Sequence, residues 1–416
     1  MIGRGVEIEL QTVASELDVA CPSVAPTASL MFVTIADVGR LSGPSVHVLN
    51  LAKHLSRCSS TVTLICPKPS GELHIDHGPD VTRISPRFSL SRRLPSVALL
   101  PVLAYLMLRA LRPQSVYLRA GAGTWPLALL AKYVLRARLV VECNGWLSND
   151  LKALGYPRLI CGVAEWMQCK EALLADSIRV VAGGLVDLLV AKGIPSARLA
   201  VIGNGTDVTV FRPLDMMECR CAHKLPDNGR LLAVVGNLWP ALDLPTVFEA
   251  MRELRDNGVS MELLVIGDGG SRGEFAKRAF EILGPQPPVR WLGSRAPKVV
   301  NELLNAADVV LAPFAFSNEV TGLAPLKIRD YAAAGRPCVA TAISGITALG
   351  NEPWMFLASP KDAAGFADGI AKALASEPKS TQAMARAYAE RHFDWMVIAR
   401  EVGRLFGNSS VQRVNR

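Results

Sequence analysis

The chain has 416 residues, of which half are apolar and a fifth are charged. A single hydrophobic core stops growing at about 250 to 300 residues, so this length predicts two domains, and the composition excludes a disordered or fibrous protein. The net charge of +8 is spread along the chain. Because no motif of nucleic-acid-binding proteins accompanies it, nucleic acid is not an expected partner.

Residues 1–28 predict a weakly ordered leader. They carry acids at Glu7, Glu9 and Glu16 and lack the continuous apolar run of a secretory signal. Most of the nine cysteines lie singly in apolar runs, which is typical of buried, reduced thiols and predicts a cytoplasmic protein.

One cluster, Cys219, Cys221 and His223, resembles half of a metal site. No second ligand pair follows at zinc-finger spacing, so no metal is expected.

Short apolar runs alternate with helical patterns, which predicts parallel sheets covered by helices on both faces. The predicted strands of the first half are 30–37, 60–66, 115–119, 138–144, 177–182 and 199–205. Those of the second half are 230–237, 261–269, 289–293, 308–314 and 336–341. Residues 208–229 lack a period and predict a linker between two doubly wound domains.

The most apolar long stretch is 94–111, which has arginines at both ends. Two prolines and Arg109 argue against a spanning helix, which needs about 20 apolar residues. A core helix and a helix that dips into a membrane surface both remain open. In the second case residues 92–112 would form a peripheral membrane contact.

Two glycine loops follow predicted strands. Gly39 and Gly43 precede a helix whose free N-terminal amides suit an anion or a sugar hydroxyl. Gly267 opens a second loop that lacks the lysine of a P-loop and the full dinucleotide spacing. Turns without a ligand would explain either loop.

The most informative segment is 319–335. Thr321 and Gly322 predict a turn before a helix that carries Lys327 and Asp330 three residues apart on one face. A cation near the first turn suits a diphosphate, and a carboxylate one turn later suits a ribose diol. A surface Lys/Asp pair is the alternative.

The order of these motifs resembles the retaining glycosyltransferases of family 4 over about residues 30 to 410. The phrase 204–207 is similar to that family's NG-x-D signature, 142–145 to its E-V-N-G loop, and 392–407 to its terminal helix. The resemblance implies an α/β fold of the GT-B type, with two facing Rossmann-like domains and a C-terminal helix that crosses back to the first. The expected domains are a leader at 1–28, an acceptor-side domain at 29–207, a linker at 208–229, a donor-nucleotide domain at 230–384 and a returning helix at 385–416.

The resemblance also implies roles for residues of the 319–335 segment. Asp330 stands five residues before Gly335, where the family has the second acid of a Glu-x7-Glu motif, which holds the donor's ribose. The first acid would fall on Gly322. Residues 324–327 instead follow the family's S-P-L-K variant, in which the lysine, here Lys327, meets the diphosphate.

Two family charges are absent, because the usual Arg and Lys of the first loop in the second domain are Asn237 and Leu242. Substitutes could come from four cations: Lys327, Arg329, Arg295 and Arg40. Asn144 stands where many members have a histidine that contacts the donor sugar.

The expected catalytic residues are Lys327, Asp330 and Asn144. The expected donor-binding residues are Gly39, Gly43, Gly205, Gly236, Asn237, Gly267, Gly293, Arg295, Thr321, Gly322, Leu323, Lys327 and Asp330. We expect a UDP- or GDP-sugar as donor substrate, no other cofactor, and transfer to a hydroxyl with retention, in polysaccharide or glycolipid synthesis. A lipid-linked acceptor at the inner face of the plasma membrane, a soluble natural-product acceptor, a degenerate binding protein and an epimerase remain open.

Overall fold

The computed structural model describes residues 29–39, 42–58, 61–73, 77–86, 99–110, 113–121, 123–153, 155–315, 326–347 and 349–407. Two separate parallel sheets are built from the two halves of the chain. The strands of the first are β1 Leu30–Val33, β2 Val62–Ile65, β3 Val81–Ile84, β4 Ser115–Arg119, β5 Arg138–Cys143, β6 Ser177–Val180 and β7 Leu199–Val201. Their order across the sheet is β3-β2-β1-β4-β5-β6-β7.

The second sheet has six strands. They are β8 Arg230–Val235, β9 Met261–Ile266, β10 Val289–Gly293, β11 Val309–Ala312, β12 Cys338–Thr341 and β13 Met355–Ala358. Their order is β10-β9-β8-β11-β12-β13. In both sheets the chain returns to the centre and then continues on the other side, which places loops of non-consecutive strands at the same carboxyl edge.

Helices cover both faces of each sheet. Those of the first half are α1 Gly43–Cys58, α2 Leu100–Arg109, α3 Trp125–Leu129 with a π-helical turn Leu130–Val134, α4 Leu147–Ala153, α5 Arg158–Leu174 and α6 Gly184–Ala191. The rest are α7 Met216–Ala222, α8 Leu244–Asp256, α9 Arg272–Leu283, α10 Pro297–Ala306, α11 Leu326–Ala333, α12 Ser344–Thr347, α13 Ala363–Ala375, α14 Pro378–His392 and α15 Trp395–Arg404.

The predicted central strands are confirmed. Strands such as β1 and β11 are buried on both faces and are therefore continuous apolar runs. The sequence did not predict the edge strands β3 and β13. In β3 Thr82 and Arg83 are exposed, so the apolar run is broken. Residues 208–229, predicted as a linker, contain α7, whose Arg220 is buried and donates to Asp308 of the second half at 2.9 Å.

The C-terminal helix returns to the first half of the chain, as the resemblance implied. Asp394 caps the first turn of α15 by accepting from the Met396 amide, which satisfies a free helix donor. Trp395 and Ile398 then enter the hydrophobic core beneath α1. The two halves are therefore connected by residues 202–214 and again by residues 393–395.

The apolar stretch 94–111 contains α2, Leu100–Arg109. Residues 94–98 and 111 of the stretch lie outside the described ranges. Leu103 and Met107 are buried in the core of the first half, as the core-helix alternative predicts, while Tyr105 and Leu108 of the same helix are exposed. The membrane contact through residues 92–112 stays a prediction. Across the described ranges, no helix is long and apolar enough to cross a membrane.

Candidate functional site

The carboxyl edge of the second sheet carries two glycine loops in contact. Gly236 follows β8 and has φ +148°, and Gly267 follows β9 and has φ +139°. A Cβ atom added at Gly267 would overlap the carbonyl oxygen of Gly236. Both positions need glycine, because side chains rarely adopt this backbone region and the loops approach too closely. Backbone therefore forms this surface of the site.

Lys327 supplies the cation beside these loops. Its Nζ lies 4.7 Å from the centre of the Phe314 ring, a cation–π contact. A Cβ atom on Gly236 would lie 3.0 Å from Nζ, so the ammonium group rests against this glycine. Burial lowers the pKa of Lys327 to about 8. The arrangement is chemically suited to a phosphate group, which would compensate the partly desolvated charge.

The two positions that lack the family's charges face different ways. Asn237 is exposed, whereas Leu242 is buried and its backbone bridges that of Phe314. Phe314 also contacts Lys327. The charge of Lys327 therefore lies near the loop after β8, in which the family's usual arginine and lysine are absent.

Two of the other candidate cations have different surroundings. Arg295 is exposed after β10. Arg329 is buried against the Phe393 ring, 5.2 Å from its centre, and Arg40 lies outside the described residues. Three of the four candidate cations are described, and among these Lys327 is the one with a contact to the Gly236 loop.

Asp330 lies one turn further along α11 and contacts the connection between the halves. The hydroxyl of Thr206 donates to Asp330 Oδ1 at 2.6 Å. Burial raises the pKa of Asp330 to about 7, against the smaller opposing effects of the Thr206 hydrogen bond and of Arg329. The carboxyl group is therefore held in one orientation and titrates near neutrality.

Glu142, at the end of β5, is the centre of a buried polar network in the first half. It accepts from His47 Nε2 at 2.9 Å and from Arg179 Nη1 at 2.9 Å, and also from the Tyr117 hydroxyl. Burial opposes ionisation of Glu142, but His47 and Arg179 outweigh it and hold its pKa well below the usual range. A buried network with several hydrogen bonds to one carboxylate makes the end of the strand rigid.

Arg179 extends the network to the first connection between the halves. It donates to the carbonyl oxygens of Ile202, at 2.9 Å, and of Gly203. Asn204 accepts from the same guanidinium at 3.3 Å. The position of the connecting segment is therefore fixed from inside the first sheet.

A cavity of about 290 Å³ opens at the carboxyl ends of β4 and β5. Asn144, whose amide donates to Glu142, lines it together with Arg119, Asp150 and Gln168. Gln168 is held by two backbone contacts: it accepts from the Leu147 amide at 3.0 Å and donates to a carbonyl oxygen of the same loop at 2.9 Å. The cavity combines positive, negative and amide groups, which suits a polyhydroxylated ligand.

Several predicted glycines have structural surroundings that account for them. The Gly39 amide donates to Asp37 at 3.0 Å, so it is already used within the loop. Gly205 packs against the indole of Trp395. Gly43 is the first residue of α1, and the Gly293 carbonyl accepts from the Gly267 amide at 2.9 Å.

Three further predicted residues, Thr321, Gly322 and Leu323, lie outside the described residues. The Cys219, Cys221 and His223 cluster is spread out: Cys219 is buried, Cys221 is exposed, and His223 contacts Glu302 at 2.9 Å. Within the described ranges no group of three or more metal-ligating side chains occurs.

Sequence reasoning did not single out Arg119, Arg179 or Phe314. Arg179 had a visible signal, since it is a charged residue inside the apolar run 177–182 and must find a buried partner. Phe314 had none, because an aromatic residue at a strand end is ordinary until a cation is found over its ring.

Comparison with known families assigns the two halves. Residues 41–210 match the model described as Glycosyltransferase Family 4, and residues 229–376 match the model described as Glycosyl transferases group 1. The chain belongs to the family 4 glycosyltransferases.

Curated relatives include D-inositol 3-phosphate glycosyltransferases. That of Corynebacterium urealyticum is 30% identical over 223 residues, which are 50% of this chain and 51% of the relative. That of Kribbella flavida is 28% identical over 261 residues, 58% of each chain. The chain thus matches only about half the length of these relatives.

Solved structures share the fold. Sucrose-phosphate synthase from Thermosynechococcus elongatus superposes with a TM-score of 0.72 at 16% identity, over 91% of this chain and 98% of that one. Anabaena Alr3699/HepE in complex with UDP-glucose gives 0.66 at 17% identity, over 91% and 99%. The predicted two-domain GT-B fold is confirmed.

Proposed function

We propose that this protein transfers a hexose-type sugar from a nucleoside diphosphate sugar to a hydroxyl group, with retention of configuration and without a metal. The observation that carries the proposal is the Lys327 ammonium group, which rests against the Gly236 loop. Relatives named as glycosyltransferases and a structural neighbour in complex with UDP-glucose support it.

The donor would lie on the carboxyl edge of the second sheet. Lys327 would neutralise the diphosphate, and Asp330, oriented by Thr206, would accept hydrogen bonds from the ribose hydroxyls. Electrostatic stabilisation of the leaving diphosphate is the main contribution required of the protein. In retaining transfer the departing diphosphate oxygen takes the proton of the attacking hydroxyl on the same face of the sugar.

The acceptor would occupy the cavity between Arg119, Asn144 and Asp150. Its mixture of charges and amides can bind several hydroxyl groups at once and hold one of them towards the donor, which lowers the entropic barrier to reaction. Polysaccharide or glycolipid synthesis is the process that we propose for this reaction.

The test is a panel of UDP- and GDP-sugars, with donor hydrolysis and calorimetric binding as readouts. We expect one donor class to bind and to be hydrolysed slowly. Lys327→Ala should weaken binding about tenfold or more, because a hydrogen bond to a charged phosphate contributes about 1.5 to 3 kcal/mol. Lys298→Ala, which removes an exposed lysine of α10, should bind as the unaltered protein does. Equal affinity of both variants would overturn the proposed donor site.

A second candidate is a degenerate member that binds without transferring sugar. The exposed Asn237 and the buried Leu242 favour it, because both replace family charges. Detection of hydrolysis or transfer by the purified protein excludes this candidate, whereas tight donor binding with no turnover on any acceptor supports it.

A further inference from the structure

Helix α5 has an outer face that differs from that of an ordinary surface helix. Its inner side packs Cys161, Ala164 and Ala172 into the first half. Its solvent side is apolar, and we call it the α5 outer face. It consists of Leu159 at 79% exposure, Ile160 at 46%, Val163 at 48%, Trp166 at 49% and Leu173 at 42%.

The spacing of these residues makes the surface continuous. Leu159, Val163 and Trp166 are separated by four and three residues, so they lie along one stripe of the helix. Since a surface helix normally turns its polar residues outwards, an apolar stripe on the solvent side marks an interaction site.

Neighbouring elements enlarge the apolar area. Trp125 of α3 contacts Trp166 edge to face, with ring centres 5.3 Å apart. The π-helical turn that continues α3 exposes Tyr133 at 65% and Val134 at 61%. Tyr156, just before α5, is 49% exposed. Trp125 thus extends the stripe directly, and exposed aromatic side chains also occur on the segments that adjoin α3 and α5.

The exposed charges on α5 are basic. Arg158 and Lys170 are exposed, and the Lys170 ammonium group lies 6.0 Å from the centre of the Trp166 ring. Of the acids on this helix, Glu171 is buried, and Glu165 is paired with Lys192 at 2.6 Å. The α5 outer face therefore presents apolar and aromatic groups with positive charges among them.

Helix α9 of the second half provides an internal comparison. Its exposed residues include Lys277, Arg278 and Glu281, and its one large exposed apolar side chain among the described residues is Phe280. The pattern of α5 is therefore not a general property of the helices of this chain.

We infer that the α5 outer face docks on an anionic lipid bilayer. Tryptophan and tyrosine with lysine and arginine at the edge of an apolar stripe are the residues that bind at the boundary between headgroups and acyl chains. Anionic headgroups add attraction for Arg158 and Lys170. A protein partner would need an apolar groove of matching shape with acidic residues around it. An anionic bilayer supplies apolar acyl chains and negative headgroups to a surface of any shape.

The inner side of helix α5 contributes to the cavity in the first half. Gln168 of α5 lines the cavity that we assign to the acceptor, so a docked helix brings this cavity to the membrane surface. This step rests on the proposed function and selects a lipid-linked acceptor over a soluble one. The docking itself does not depend on transfer.

The test is co-sedimentation of the full chain with phosphatidylcholine vesicles, with and without phosphatidylglycerol. We expect binding to the anionic vesicles that weakens at high salt. The double variant Leu159→Glu/Trp166→Glu should reduce the partition coefficient about tenfold or more, because it removes apolar contact and adds like charge to the lipid. Phe280→Glu on α9 should bind as the unaltered protein does.

UDP affinity and the melting temperature of each variant show that the fold is intact and separate this test from that of the donor site. Equal vesicle binding by the double variant, or no binding of the unaltered protein at low salt, would overturn the inference. Sedimentation as a dimer that the double variant abolishes, without vesicle binding, would instead assign the face to a second copy and would equally overturn it.

Discussion

The hydroxyl of Thr206 donates a 2.6 Å hydrogen bond to Oδ1 of Asp330. Thr206 belongs to the first connection between the two halves, and Asp330 belongs to the helix proposed to bind the donor. The Thr206 amide also donates to the carbonyl oxygen of Phe393 at 2.7 Å, in the second connection. Thr206 thus contacts the second connection through its amide and helix α11 through its hydroxyl. The orientation of the Asp330 carboxyl group therefore depends on how the two connections are placed.

Thr206→Val keeps the shape of the side chain and removes the hydroxyl. We expect the free energy of unfolding to fall by about 1 kcal/mol, because the half-buried carboxyl group of Asp330 loses its donor. We also expect weaker UDP binding, since Asp330 loses its orientation. Denaturant unfolding and calorimetry measure the two effects. Thr209→Val, at an exposed hydroxyl that contacts Asp207, is the control. If Thr206→Val binds UDP as tightly as the unaltered protein, the expectation that Asp330 must be oriented by Thr206 to bind the donor is wrong.

The affinity for UDP should depend on pH through Lys327. Burial lowers the pKa of this lysine to about 8, so the ammonium form prevails below pH 8 and is lost above it. A diphosphate binds the charged form, and binding should therefore weaken as the pH rises from 7 to 9. Calorimetry across this range measures the slope.

Lys327→Gln should remove that part of the slope, and Lys298→Gln should retain it. A slope that is the same in all three proteins would show that the lysine does not contact the diphosphate.

The stability of the first half should depend on the buried acid Glu171. Its carboxyl accepts from Thr124 at 3.0 Å, and burial raises its pKa from the usual 4.5 to about 8. Between these values the unfolded chain releases a proton that the folded chain keeps, so stability falls as the pH rises from 4.5 to 8. Glu171→Gln removes this loss.

We expect Glu171→Gln to be more stable than the unaltered protein at pH 8, by on the order of 3 kcal/mol, and to have no such advantage at pH 4.5. Thermal unfolding at several pH values measures the difference. Glu165→Gln is the control of opposite sign: Lys192 and Ser148 outweigh burial and lower the pKa of Glu165, so this substitution should destabilise the protein above pH 4.5. A gain in both variants would contradict the explanation.

The loop after β9 should tolerate alanine at Gly270 but not at Gly267. Gly267→Ala places a Cβ atom onto the Gly236 carbonyl oxygen in a backbone region that disfavours side chains. We expect a loss of about 1 to 3 kcal/mol of stability and loss of UDP binding. Gly270→Ala, three residues along, has open space around its Cβ and should change neither. Calorimetric melting and UDP titration compare the two variants.

The doubly wound architecture was predictable because the central strands are buried on both faces and are therefore continuous apolar runs. The edge strands β3 and β13 escaped the same reasoning. In β3 only Val81 is buried, while Thr82 and Arg83 face solvent. A strand of four residues with one buried side chain has no pattern that distinguishes it from a loop.

The residues of the proposed donor site could be named from the sequence, but their contacts could not. Lys327 and Asp330 could be named because they are three residues apart within one motif, a local relationship that the sequence displays. Their partners are distant in the chain: Lys327 contacts Phe314 and Gly236, and Asp330 contacts Thr206. No periodicity or spacing connects positions that only the folding of two sheets brings together.

The sequence by itself thus determined two parallel sheets, their glycine loops and a helix with a cation and a carboxylate on one face. Only the tertiary structure decided that Lys327 stands next to the Gly236 loop, that Thr206 orients Asp330, and that the stripe from Leu159 to Leu173 faces solvent. The physical reason is that propensity and apolar periodicity act over a few residues. Burial, pKa shifts and hydrogen bonds between the halves depend on which surfaces pack together.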